Sequence, residues 1–105
     1  METKVVNLKK DPYDIRIDRR SKFGNPFRIG WDGTRAEVIE KYRQWLTGEA
    51  FNDFKKRERK LILKSLPQLE GKVLGCWCKP KPCHGDVLIK LLTERRQHDT
   101  SKTKS

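Results

Sequence analysis

Apolar positions recur along this chain in two rhythms, separated by one long stretch with none. In the first eighteen residues they come in short bursts: TKVVNL (3–8) is rich in β-branched residues, and DIRID (14–18) alternates Ile15 and Ile17 with charges. The first predicts a strand and the second a half-buried strand. The Asp11-Pro12 turn in the connection predicts that the two pair as a hairpin. From residue 34 the rhythm becomes helical. Thr34 and Glu37 form a capping box, Val38, Ile39, Tyr42, Trp45 and Leu46 make one stripe, and Gly48 marks the end. Residues 50–65 predict a second helix, with Phe51, Phe54, Leu61 and Ile62 inward and KKRERK around its wet face. Pro67 and Gly71 bracket a connection into KVLGCWC (72–78). Its two faces are both apolar, Val73 and Trp77 on one and Leu74, Cys76 and Cys78 on the other, which predicts a central strand covered on both sides. A stiff KPKP turn leads to a last helix from about 83 to 97, with Val87, Leu88, Leu91 and Leu92 inward.

The order strand, strand, helix, helix, strand, helix implies a small single α/β domain built around a three-stranded sheet. We place the domain at residues 1–97 and a flexible basic tail at 98–105, where HDTSKTKS has no apolar content. A chain of 105 residues has room for one modest core. Residues 19–33 carry three glycines, a proline and no periodicity, and a loop of that length in a small domain tends to be functional. Phe23, Phe27 and Trp31 argue that it is ordered. No apolar run has the length of a bilayer span or the pattern of a secretory signal, so no membrane partner is expected. Three closely spaced cysteines argue against a disulfide framework and for a reducing cytoplasm.

Charge changes the picture next. The net charge is +11, which implies attraction to phosphorylated ligands and polyanions. It is also placed: residues 19–28 hold Arg19, Arg20, Lys22 and Arg28 with no acid, and residues 71–85 hold Lys72, Lys79 and Lys81 with no acid. Residues 31–48 are neutral overall, and the basic run in the second helix reads as a solvated face.

The candidate chemistry lies in GCWCKPKPCHG (75–85), which gathers all three cysteines and one of the two histidines. It spans a strand end, a proline-stiffened turn and the first turn of a helix. In open α/β sheets ligands gather at the carboxyl ends of strands, and a helix start offers unpaired amides to an anion. The amides near Cys83, His84 and Gly85 therefore form a candidate anion cradle, with Gly85 allowing close approach and Lys79 and Lys81 overhanging. A thiol reading competes: Cys83, at a helix N-terminus among lysines, has the setting of an activated nucleophile, and His84 that of its acid or base. In a metal reading, Cys76, Cys78, Cys83 and His84 make a Cys3His set suited to zinc. Two observations oppose it. Cys76 and Cys78 in a regular strand sit about 6.5–7 Å apart, and C-x-C-x4-C-H is not a familiar zinc spacing. The plain alternative is that Cys76 and Cys78 are small buried hydrophobes.

The loop SKFGNPFRIG (21–30) supplies a complementary half. Asn25 offers paired donor and acceptor groups of the kind that read a base edge or ribose, among arginines able to clamp a phosphate. The plain alternative is a turn whose Phe23 and Phe27 plug the core. GNPF followed by GCWCKPKPCHGDVL resembles an uncharacterised family of small bacterial and phage domains, domain of unknown function 4326, from VVNL to about Leu92. The resemblance implies ligand contact at Lys22, Asn25, Cys83 and His84, and it implies no particular activity.

The reading is thus a basic pocket between the GNPF loop and the start of the last helix. It takes a nucleotide, a nucleotide-derived signal or a nucleic acid end. Arg19, Arg20, Lys22, Arg28, Lys79 and Lys81 supply charge, Asn25 orientation and Gly85 backbone access. Cys83 and His84 are candidates for catalysis on a phosphoryl or glycosidic bond. No cofactor is required; the alternative is a zinc-stapled module that binds nucleic acid or a protein partner without catalysis.

Overall fold

The computed structural model of this protein describes residues 2–79 and 81–104, with side chains described as far as Glu94. Three strands, β1 (Lys4–Asn7), β2 (Ile15–Arg16) and β3 (Val73–Cys76), form a sheet in the order β1-β3-β2. Helix α1 (Arg35–Thr47), helix α2 (Lys56–Ser65) and a short 3-10 turn (Leu66–Leu69) connect β2 to β3, and α3 (His84–Lys104) follows. The α/β class, the three strands and their chain order match the sequence pattern. The flexible tail expected over 98–105 lies outside the residues whose side chains are described. Among the described residues no helix is long and apolar enough to cross a membrane.

The expected hairpin is absent. Both β1 and β2 pair with β3 in parallel, Val5 and Ile15 flanking Leu74 from its two sides. The reason lies in β3. It is the most apolar of the three strands, and its two edges both need partners, which β1 and β2 provide at the expense of pairing with each other. Residues 8–14 must then cross over β3, and Gly75 makes the crossing possible. A Cβ at that position would meet the Tyr13 ring at 2.7 Å and Leu8 Cβ at 3.1 Å. On the opposite face Val5, Leu74, Ile15 and Ile17 look toward the helices. Gly85, in the first turn of α3, rests there so closely that a Cβ would lie 2.6 Å from Ile17 and 2.8 Å from Val5.

Helix α1 follows its sequence signals. The Thr34 hydroxyl accepts from the Glu37 amide at 3.2 Å, the Glu37 carboxylate accepts from the Thr34 amide at 2.9 Å, and Gly48 closes the helix at φ 83°. Val38, Tyr42, Trp45 and Leu46 are buried as a stripe. Helix α2 begins later than expected, at Lys56 rather than residue 50. Phe51 and Lys55 adopt positive φ (58° and 42°), so residues 50–55 form a turn. That turn lays Phe51 and Phe54 on Phe27, at ring separations of 4.9 and 5.3 Å, and the Trp45 indole donates to the Phe54 carbonyl at 2.7 Å. A helix over 50–55 would aim those rings elsewhere, and aromatic packing decides the matter. Leu61, expected inward, is exposed, while Ile62 is buried.

Candidate functional site

The chain leaves β3 at Cys76, two residues earlier than the expected strand end. This frees Cys78 from strand geometry. It sits in a turn closed by the Lys81 amide donating to the Cys78 carbonyl at 2.8 Å. The consequence corrects the sequence argument against a shared site, since the sulfurs of Cys76, Cys78 and Cys83 all lie within 4.8 Å of one another. None of the three is in a disulfide. Cys76 and Cys83 are buried, with their sulfurs 2.8 Å apart, and Cys78 is half-buried.

His84 lies beside the three cysteines, in contact with Cys83. Its Nε2 lies 2.6 Å from the Ile17 carbonyl oxygen. A carbonyl only accepts, so Nε2 carries the hydrogen and Nδ1 faces Cys83 Sγ at 3.6 Å. The ring is fixed further by an edge-on contact with Tyr42, 5.3 Å between centroids, and Tyr42 in turn donates to the Phe23 carbonyl at 2.7 Å. The two buried thiols titrate as a unit. The Cys83 S–H donates to Cys76, and that hydrogen bond, opposed by burial and helped by His84, holds Cys76 well below the ordinary thiol range. The same bond, together with burial and the neighbouring charge, pushes Cys83 far up. The hydrogen bond between the two sulfurs favours a single negative charge on the pair over two neutral thiols or two thiolates.

Two of the three amides expected to form an anion cradle at the start of α3 have partners within the chain. The Cys83 amide donates to the Asp86 carboxylate at 3.0 Å, and the Gly85 amide to Cys83 Sγ at 3.3 Å. Gly85 packs closely on the sheet, against Ile17 and Val5. Lys79 is paired with Asp86 at 2.8 Å. Lys81 is exposed on the turn.

An open hollow of about 360 Å³ nevertheless joins the two motif segments. Arg19, Asn25, Phe27 and Ile29 line it from the GNPF side, and Cys76, Cys78, Cys83 and His84 from the other. Val38, Ile39 and Trp77 make its walls largely apolar. Of the expected site residues, Arg20 lines neither this hollow nor its neighbour. Lys22 and Arg28 line an adjoining hollow of about 290 Å³, which Arg19 shares. Asn25 is buried and works inward: its Nδ2 donates to the Val38 carbonyl at 3.0 Å and its Oδ1 accepts from the Phe27 amide at 2.9 Å. It shapes the loop rather than presenting a free amide.

Sequence reasoning missed Arg35 and Asp18. Arg35 opens α1, where a cation opposes the helix dipole. It lines the hollow and reaches the Pro82 carbonyl at 3.4 Å. Its unfavourable position in a capped helix was the one available signal. Asp18, 4% exposed, accepts from Arg16 at 2.7 and 2.8 Å and from the Trp77 indole at 2.8 Å. The Arg16 hydrogen bond, outweighing burial, lowers its pKa. It pins Trp77 as a wall of the hollow. In sequence it looked like the last charge of an alternating strand.

A family model described as Domain of unknown function (DUF4326) matches residues 2–94, and the chain belongs to that family. The chain is 34% identical over 99 residues to an uncharacterised 12.4 kDa protein from the nrdA-td intergenic region of Enterobacteria phage T4, covering 91% of this chain and 82% of that one. It is 34% identical over 96 residues to an uncharacterised protein of Acanthamoeba polyphaga mimivirus, covering 81% of this chain and 65% of that one. No solved structure matches it.

Proposed function

We propose that this member of the family binds a phosphorylated ligand of the nucleotide class in the hollow between the GNPF loop and the Cys-rich turn. The observation that carries the reading is the placement of two arginines, Arg19 and Arg35, on one apolar-walled hollow. Its volume lies within the range of small-molecule sites. The guanidinium groups suit a phosphate, and the Trp77, Ile29 and Ile39 walls suit a base. The net charge of +11 favours approach of the anion. A reducing cytoplasm suits three unpaired thiols. The test is thermal melting with nucleoside mono- and triphosphates, against inorganic phosphate. The reading expects nucleotides to raise the melting temperature, a gain of about 2.7 kcal/mol at a hundredfold excess over Kd. The Arg19→Ala/Arg35→Ala double variant should lose that gain. No shift with any nucleotide, or an equal shift in the double variant, rejects it.

A second reading concerns the cysteines: Cys76, Cys78, Cys83 and His84 hold zinc at the base of the same hollow. Three sulfurs within 4.8 Å fit metal–sulfur bonds of about 2.3 Å. His84 is oriented as metal-binding histidines are, with one nitrogen tied to a backbone carbonyl and the other facing the sulfurs. Zinc there would be structural, closing the β3–α3 turn. Metal analysis of the purified protein should find about one zinc per chain, and chelation should lower its melting temperature. A metal-free protein that melts unchanged in chelator refutes this second reading and leaves the first standing.

A further inference from the structure

Trp31 is the most exposed large hydrophobic side chain described, at 86%. Its neighbours in the chain hold it there firmly. The Trp31 and Asp32 amides both donate to the Arg28 carbonyl, at 3.2 and 2.8 Å. The Gly30 amide donates to the Gly33 carbonyl at 2.8 Å, and the Arg28 amide to the Asp32 carboxylate at 2.8 Å. The Lys41 ammonium donates to the Asp32 carbonyl. Phe51 and Phe54 both pack their rings against Phe27, and Trp77 lies under Lys9 and Arg16. Among the described residues Trp31 has no such partner. A pinned loop therefore presents a free indole to solvent.

The loop is continuous with the hollow. Ile29, on the same tight turn and 49% exposed, lines it, and Arg35 follows two residues after the turn closes at Gly33. Resting on the nucleotide reading above, we propose that the ligand is single-stranded nucleic acid, one nucleotide seated in the hollow and the base of a neighbouring nucleotide stacked on Trp31. Every base has a flat face that an indole can cover, and such platforms are sequence-tolerant. Charge complementarity favours this occupant: Arg19, Lys22 and Arg28 surround the adjoining hollow, where a continuing backbone would run.

Equilibrium binding of the four nucleoside monophosphates and of mixed-sequence DNA and RNA octamers, to wild type, Trp31→Ala and Trp31→Phe, tests the proposal. We expect the octamer of one or both kinds to bind more tightly than any mononucleotide. Trp31→Ala should weaken octamer binding about 5- to 150-fold, the equivalent of one lost base stack, while leaving mononucleotide affinity unchanged. Trp31→Phe should restore part of the loss. Octamers that bind no more tightly than mononucleotides overturn the strand and leave the nucleotide pocket. Octamer affinity unchanged in Trp31→Ala also overturns it and turns the exposed indole toward an acidic protein partner. If neither mononucleotides nor octamers bind, the nucleotide reading itself falls with the proposal.

Discussion

Asn25 separates two kinds of contribution that look alike in sequence. An amide on a glycine-proline turn suggests ligand recognition, yet both its polar ends are spent on Val38 and Phe27. Asn25→Ala leaves the buried Phe27 amide without its acceptor and takes a side-chain donor from the Val38 carbonyl, so it should cost about 1–3 kcal/mol in chemical denaturation. Loss of ligand binding in that variant would therefore report misfolding of the loop as much as a lost contact, whereas Arg19→Ala should leave stability nearly unchanged. Asp18 makes the pH prediction. Its pKa is lowered from the ordinary carboxylate value chiefly by the Arg16 hydrogen bond. The folded state thus binds that proton less readily than the unfolded chain, and the associated stability is fully present above the unfolded pKa near 3.8. It is lost as pH falls through the lower folded value. Trp77 fluorescence should report the loss, because the protonated carboxyl no longer holds the indole as firmly, and Asp18→Asn should flatten the acid limb of the stability profile.

Elements that announce their own ends were legible: Thr34, Glu37 and Gly48 delimit α1 within the chain segment itself. Strand pairing was not, because the choice between a β1–β2 hairpin and two parallel pairs with β3 depends on a segment more than fifty residues away. Gly75 held the missing information, since a glycine inside an apolar strand marks a close approach of other chain. Gly75→Val should destabilise by about 1–3 kcal/mol through the Tyr13 crossing. At the start of α3, Gly85→Ala should carry a similar cost against Ile17 and Val5, again about 1–3 kcal/mol, measured by denaturant unfolding. If the ligand does not approach that backbone, the ligand affinity of folded Gly85→Ala protein should match wild type. A variant with normal stability and no ligand affinity would restore Gly85 to the binding site.

At the scale of the molecule, charge and topology act together. The two motif segments are some fifty residues apart in sequence, and the short β2 places Asp18 and Arg19 beside the end of β3. Their convergence was legible from the general habit of ligands at strand carboxyl ends. The division of labour within them was not, because burial turns Asn25, Gly85 and the Cys83 amide inward while leaving Arg19 and Arg35 available. A ligand held by these arginines should bind more weakly as salt rises, with a slope that falls when either is removed. Amide chemical-shift mapping during a nucleotide titration tests the central claim most directly. Perturbations should cluster at Arg19, Phe27, Ile29, Arg35, Cys78 and His84, which are remote in sequence and line one hollow. Perturbations confined to the basic face of α2, or a spectrum unchanged by every nucleotide, would contradict the account.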